Sequence, residues 1–290
     1  MKPSASEYVT IRGLRHHVRI WGDPGHPKLF LLHGWMDVSA SFQFLVDELR
    51  EGWHVIAPDW RGFGCSEWAA EGYWFPDYLA DLEALLDAFS PNAPVCLLGH
   101  SMGGNVAGLY AGIRTERISR LVLAEGFGMK PSQPEDAPDR YAKWLRQVPA
   151  PAGFRAYASL EDVADRLVRN SPRLSRERAR LLAPHWAVQR PDGSWVPAAD
   201  PRHKMVNPVL YRQEEALACW RRITAPVLWV WGGDPAWMRD FAGDDAEDWR
   251  RRRGAIARLT ECRIPESGHM MHLENPARLA REVEPFLAGG

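Results

Sequence analysis

Residues 99–103 read Gly-His-Ser-Met-Gly, a G-x-S-x-G arrangement centred on Ser101. A run of β-type residues, 95–98, precedes it, and small residues suited to a helix, 105–113, follow. In such a strand–turn–helix context the turn is sharp enough to lift a serine hydroxyl clear of the end of a sheet strand. Glycines at 99, 103 and 104 remove the side chains that would crowd the turn. A serine hydroxyl is a weak nucleophile at neutral pH, so this chemistry needs a base to take its proton and a group to orient that base. Late in the chain, Ser267-Gly268-His269-Met270-Met271-His272-Leu273-Glu274 supplies two histidines. Carboxylates stand at Glu125, directly after the apolar run 121–124, and at Asp234, inside Gly232-Gly233-Asp234-Pro235-Ala236.

These stretches, with two others, resemble the α/β-hydrolase superfamily, most of all its serine-hydrolase-like and carboxylesterase branch. Leu29-Phe30-Leu31-Leu32-His33-Gly34-Trp35 is similar to the family's third strand and oxyanion turn, and Asp59-Trp60-Arg61-Gly62-Phe63-Gly64-Cys65-Ser66 to its D-x-R-G-x-G-x-S loop. The motifs occur in family order from about residue 29 to about residue 287, apart from a middle segment. The resemblance implies an α/β-hydrolase fold: a mostly parallel sheet flanked by helices, with an inserted, mainly helical cap. It implies Ser101 as nucleophile, His269 as base and the backbone N–H groups of Trp35 and Met102 as the oxyanion hole. In the family's G-H-x-x-H-L-E pattern the first histidine is catalytic, and the second, here His272, packs or hydrogen-bonds locally.

Two positions compete for the acid. Many members carry it after the seventh strand in a G-x-x-D pattern, but here that count falls on Pro235 or Ala236 and leaves Asp234 out of step. The family's other location, the end of the sixth strand, is occupied by Glu125, which is taken as the triad acid with Asp234 as the alternative. The activity implied is cleavage of carboxylic esters through an acyl-enzyme. Lactonase, carbon–carbon hydrolase and perhydrolase chemistry are compatible with the same triad, and a non-catalytic ligand-binding role is a remote alternative. Haloalkane dehalogenases and epoxide hydrolases, similar in outline, use aspartate at the elbow, and the serine argues against both. No cofactor or metal is expected, and the expected partner is a small-molecule ester bound by a monomer or homodimer.

Positioning these residues requires strands and helices in alternation. Residues 8–12 and 16–21 alternate apolar and polar about Gly13, which predicts an edge hairpin. His16 and His17 are adjacent, so they point to opposite faces and make a poor metal pair. The unbroken apolar run 29–32 predicts a strand buried on both faces. Phe42, Leu45, Val46 and Leu49 form a helical stripe over 41–50, and an amphipathic helix is expected at 77–89, with strands at 53–57 and 118–124. This alternation argues a parallel sheet with helices on both faces. From 127 to 222 the pattern changes to helical stretches at 134–148, 160–170 and 175–186, a turn at 191–194 and no evident buried strand. That segment is assigned to the cap, with 1–126 and 223–290 forming the core. Strands at 226–231 and 261–265 and helices at 248–259 and 276–287 complete the expected fold.

Composition sets the remaining bounds. The 290 residues carry 36 Lys and Arg against 37 Asp and Glu, a net charge of −1 that gives no pull toward nucleic acid or anionic membranes. Four cysteines without C-x-x-C spacing fit a reducing compartment, and the first ten residues do not resemble a signal peptide; a cytoplasmic location is expected. No apolar stretch approaches the roughly 18 residues of a membrane span. Among 14 tryptophans, Trp35, Trp60, Trp144, Trp186 and Trp237 are candidates to line an apolar pocket. Asp59 and Arg61 are read as a local ion pair and turn scaffold. Arg250-Arg251-Arg252-Arg253 is read as a solvated helix face neutralised by Asp244, Asp245, Glu247 and Asp248.

Overall fold

The computed structural model describes all residues of the chain except 51, 233–238, 240–242 and 290. Among these residues eight strands make the central sheet: β1 (Ala5–Ile11), β2 (Leu14–Trp21), β3 (Lys28–Leu32), β4 (His54–Pro58), β5 (Val95–His100), β6 (Ile118–Ala124), β9 (Val227–Gly232) and β10 (Leu259–Ile264). Their order across it is β1-β2-β4-β3-β5-β6-β9-β10. The expected hairpin is β1–β2, paired antiparallel with Tyr8 opposite His17, and β2 pairs antiparallel with β4; every other pairing in the sheet is parallel.

The apolar run of β3 shows why the sheet is buried on both sides. Side chains alternate across a strand, and Phe30 and Leu32 enter one apolar cluster while Leu29 and Leu31 enter another. The first cluster holds the inner faces of α2 (Phe75–Phe89) and α3 (Met102–Ile113). The second holds α1 (Gln43–Glu48) and the C-terminal helix α10 (Pro276–Ala288). The stripe at 41–50 is a 3-10 turn, Ser39–Phe42, that passes into α1.

Between β6 and β9 the chain forms α4 (Ala137–Gln147), α5 (Leu160–Asn170), α6 (Arg176–Trp186), a 3-10 turn at Pro201–Lys204 and α7 (Gln213–Trp220). Two strands of three residues each, β7 (Ala187–Gln189) and β8 (Trp195–Pro197), pair as a hairpin about the predicted 191–194 turn. They are too short to show a period-2 pattern, which makes them illegible in the sequence. Helices α5 and α6 bury Val163, Leu167, Leu182 and Trp186 against Val38, Phe44 and Leu273 at the rim of the core. Helix α4 buries no residue. Helix α7 lies against α3, with Leu217 and Trp220 inside the main core cluster.

Past β9, α8 spans Ala246–Gly254, shorter than the expected 248–259 because β10 already begins at Leu259. A single turn, α9 (Met271–Glu274), follows β10. No helix among the described residues is long and apolar enough to cross a membrane.

Candidate active site

Ser101 sits between β5 and α3 with φ 51° and ψ −115°. This is a sparsely populated conformation for a residue with a side chain, costing on the order of 1–3 kcal/mol unless its surroundings hold it. The neighbouring backbone holds it. A Cβ on Gly99 would lie 2.4 Å from the Gly103 carbonyl oxygen, and one on Gly103 would lie 2.1 Å from that of Leu32. The Ser101 N–H donates to the Ala124 carbonyl at 2.8 Å, which ties the turn to β6.

The end of β6 carries Glu125, also at positive φ (55°) and with its N–H donating to the Val230 carbonyl at 2.9 Å. Its buried carboxylate divides its work. Oε1 accepts the Gly232 N–H at the end of β9, and Oε2 lies 3.9 Å from His269 Nδ1. Among the described residues, His100 and Glu274 hold the His269 loop: His100 Nε2 donates to the His269 carbonyl at 2.7 Å, and the Glu274 carboxylate accepts the Gly268 N–H. His100 itself is buried, and desolvation, then the nearby His272 and His269, hold its pKa well below the usual histidine range, so it serves as a neutral donor. His272 is buried against Phe42, with Nε2 3.3 Å from Asp37 Oδ2, a local role. Asp234, the alternative acid, and Trp237 lie outside the described residues.

The His33-Gly34-Trp35 turn faces the elbow. A Cβ on Gly34 would stand 3.1 Å from Ser101 Cβ. The turn is pinned by His33, whose Nδ1 donates to the Gly34 carbonyl at 2.7 Å and whose Nε2 accepts the Trp60 N–H at 2.9 Å. That pattern requires neutral imidazole, and burial lowers the His33 pKa accordingly. Met102 is the first residue of α3, so its N–H has no acceptor within the helix. Trp35, Met102, Ser101 and His269 all line one cavity of about 1140 Å³.

The cavity walls correct part of the aromatic expectation. Trp35 and Trp144 line it, but Trp60 is packed in the main core and Trp186 in the α5–α6 cluster. Tyr73 and Trp74, not singled out from the sequence, line it instead. A third unforeseen residue is His203, which stacks between Phe63 and Tyr73 with ring centroids 3.8 and 3.6 Å away. Burial pushes its pKa down to about 3. Its carbonyl accepts the Trp35 indole N–H at 3.1 Å, so this stack ties the 3-10 turn at Pro201–Lys204 to the Trp35 turn beside the cavity.

Asp59 and Arg61 form a scaffold, but not with each other. Asp59 accepts from His17 Nδ1 (2.8 Å), Ser39 N (2.7 Å) and Cys65 N (3.0 Å). Arg61 makes a bidentate pair with Asp81 on α2 at 2.5 and 2.6 Å. His16 lies 3.4 Å from the same Asp81, so the adjacent histidines serve different carboxylates. Among the described residues two groups bring metal-ligand atoms within 4.8 Å of one another: His17, Asp59 and Cys65, and Asp37, His100 and His272. In each, a histidine already shares a proton with the carboxylate or lies at ion-pair distance from it.

The arginine run also departs from its expected role. Arg250 and Arg251 are exposed and paired with Glu247 and Glu214. Arg252 is fully buried: it pairs with Asp248 at 2.6 Å and donates to the carbonyls of Phe127 (2.9 Å) and Met129 (2.8 Å). It thereby clamps the segment that leaves β6 just beyond Glu125. A charge run shows only that a helix has an outer face, not which member turns inward.

Known proteins share this architecture. The alpha/beta hydrolase fold family matches residues 27–276. A serine hydrolase-like protein of Danio rerio is 28% identical over 93% of this chain and 84% of its own. A 3-hydroxybutyrate-oligomer hydrolase of Cupriavidus necator is 28% identical over 90% of this chain and 88% of its own. The crystal structure of a hypothetical protein from Pseudomonas aeruginosa PAO1 superposes with a TM-score of 0.85, at 28% identity, covering 98% of this chain and 99% of that one. With the sheet order, the elbow and these matches in hand, the chain belongs to the alpha/beta hydrolase fold family and is similar, within it, to serine hydrolase-like proteins.

Proposed function

We propose that this hydrolase cleaves carboxylic esters through an acyl-enzyme, with Ser101, His269 and Glu125 as its triad. The observation that carries the reading is the Glu125 carboxylate at 3.9 Å from His269 Nδ1, on the loop whose imidazole opens into the same cavity as Ser101. Ser101 Oγ attacks the ester carbonyl as His269 Nε2 takes its proton. Negative charge develops on the carbonyl oxygen and is met by the N–H groups of Trp35 and Met102, each such donor being worth about 3 kcal/mol in the transition state. The C–O bond breaks, and His269 returns the proton to the departing alcohol. Water then repeats the sequence on the acyl-serine and releases the acid. Glu125 keeps the proton of neutral His269 on Nδ1 and stabilises the imidazolium that forms.

The test has two parts. A fluorophosphonate probe should label the wild-type protein at Ser101 and leave Ser101→Ala unlabelled. Turnover of p-nitrophenyl acetate, butyrate and octanoate should vanish in that variant while its circular dichroism stays unchanged. Wild-type-like turnover by Ser101→Ala would end the reading. The oligomer hydrolase among the relatives makes short linear hydroxy-acid oligoesters the natural next substrates to assay.

A further inference from the structure

Resting on the ester-hydrolase reading, we propose that the natural substrate carries an anionic group, a carboxylate or phosphate on the part that reaches the insertion, and that Arg140 and Lys204 bind it. Both residues line the cavity that holds Ser101 and His269, Arg140 from α4 and Lys204 from the 3-10 turn that precedes Met205. The other charges in the wall are compensated, with one exception. Arg202 is paired with Asp200 at 2.6 Å, and Asp77 with Arg12 at 2.8 Å and Arg61 at 3.4 Å. Among the described residues Arg140, Lys204 and Glu71 have no ion-pair partner, which leaves the cavity one positive charge in excess.

The two cations are held at the wall. Arg140 Nη1 donates to the Asn207 carbonyl at 3.2 Å, and Lys204 Nζ to the Gly153 carbonyl at 2.9 Å while lying 5.3 Å from the centre of the Phe154 ring. Each tether uses one donor of a guanidinium that has five or an ammonium that has three. The remaining donors are oriented and unclaimed by any carboxylate. A neutral ester would leave them to water, whereas an anion would gain charge-assisted hydrogen bonds from both. The partial exposure of this wall keeps the expected gain moderate, about tenfold in affinity.

The test reads binding and turnover separately. Tryptophan fluorescence, reported by Trp35, Trp74 and Trp144 in the cavity wall, follows titration with the monobutylamide of glutaric acid and with its uncharged diamide, neither of which is an ester. The wild type should bind the acid about tenfold more tightly, and rising ionic strength should shrink that preference. In Arg140→Gln/Lys204→Gln the acid-to-neutral ratio should fall toward one. The same ratio should appear in KM rather than kcat for p-nitrophenyl hemiglutarate against its methyl-capped form. A phosphate-bearing pair run in parallel separates the two anion classes by which is preferred. Equal binding of acid and neutral ligands by the wild type, a preference insensitive to salt, or one that survives the double substitution would overturn the proposal. Failure of both p-nitrophenyl esters to turn over would count against the ester reading alone, since the amide titration needs no catalysis.

Discussion

Replacing Glu125 by glutamine tests the site at its most informative atom. Oε1 accepts the Gly232 N–H, so the oxygen of the introduced amide must take that place and its NH2 must face His269. A donor opposite Nδ1 favours the imidazole tautomer with its proton on Nε2, where it cannot receive the proton of Ser101. In the proposed triad the substitution also removes the charge that would stabilise the imidazolium. At 3.9 Å, and with an effective dielectric near 20, that attraction is worth about 4 kcal/mol. Since about 1.4 kcal/mol is a factor of ten in rate, kcat should fall by roughly 10³-fold, and tautomer loss pushes the figure toward about 10⁴-fold. The retained Gly232 hydrogen bond should keep the fold. The assay is kcat for p-nitrophenyl butyrate with thermal melting as the folding control, beside Asp234→Asn. A Glu125→Gln enzyme within tenfold of wild type would refute the reasoning, and collapse in Asp234→Asn instead would relocate the acid.

Three further outcomes are expected. Arg252→Met leaves Asp248 and the carbonyls of Phe127 and Met129 without their buried partner, so urea denaturation should show a loss of about 3–5 kcal/mol, whereas Arg251→Met, on the exposed side, should leave the midpoint unchanged. Gly112→Ala would place a Cβ 1.9 Å from the Cys219 carbonyl oxygen, so α7 must move off α3; overpacking of about 1–3 kcal/mol should lower Tm by about 2–10 °C, and an unchanged Tm would contradict the close packing. Burial raises the pKa of Asp59, but the hydrogen bond and charge of His17, the nearby His33 and the Cys65 N–H together outweigh it and hold the carboxyl at about 2, below its ordinary 3.8. A depressed carboxylate pKa contributes stability that is present above the unfolded value and lost as pH falls through the folded one. Wild-type stability should therefore drop by about 2 kcal/mol from this group between about pH 4 and about pH 2, and the drop should be missing from the denaturation curves of Asp59→Asn.

The sequence by itself determined whatever depends on neighbours along the chain. The elbow at Ser101 was legible because its glycines, strand and helix are contiguous, and the β1–β2 hairpin and the buried β3 because periodicity is local. The same holds for α5, predicted at 160–170 and observed as Leu160–Asn170. Tertiary structure alone decided which distant groups meet. Glu125 and His269 are far apart in sequence, and only the placement of β6 beside β9, with β10 on its far side, brings the carboxylate to the imidazole while the end of β9 donates its N–H. The partners of Asp59 and Arg61 belong to the same class, since the D-x-R-G motif names the residues but His17 and Asp81 arrive from β2 and α2. Tryptophan positions were ambiguous because an indole suits a core as well as a cavity wall. Arg252 shows the limit most plainly. Its neighbours Arg250, Arg251 and Arg253 read identically in sequence, and only the packing of α8 against the segment after β6 turns one guanidinium into a buried clamp.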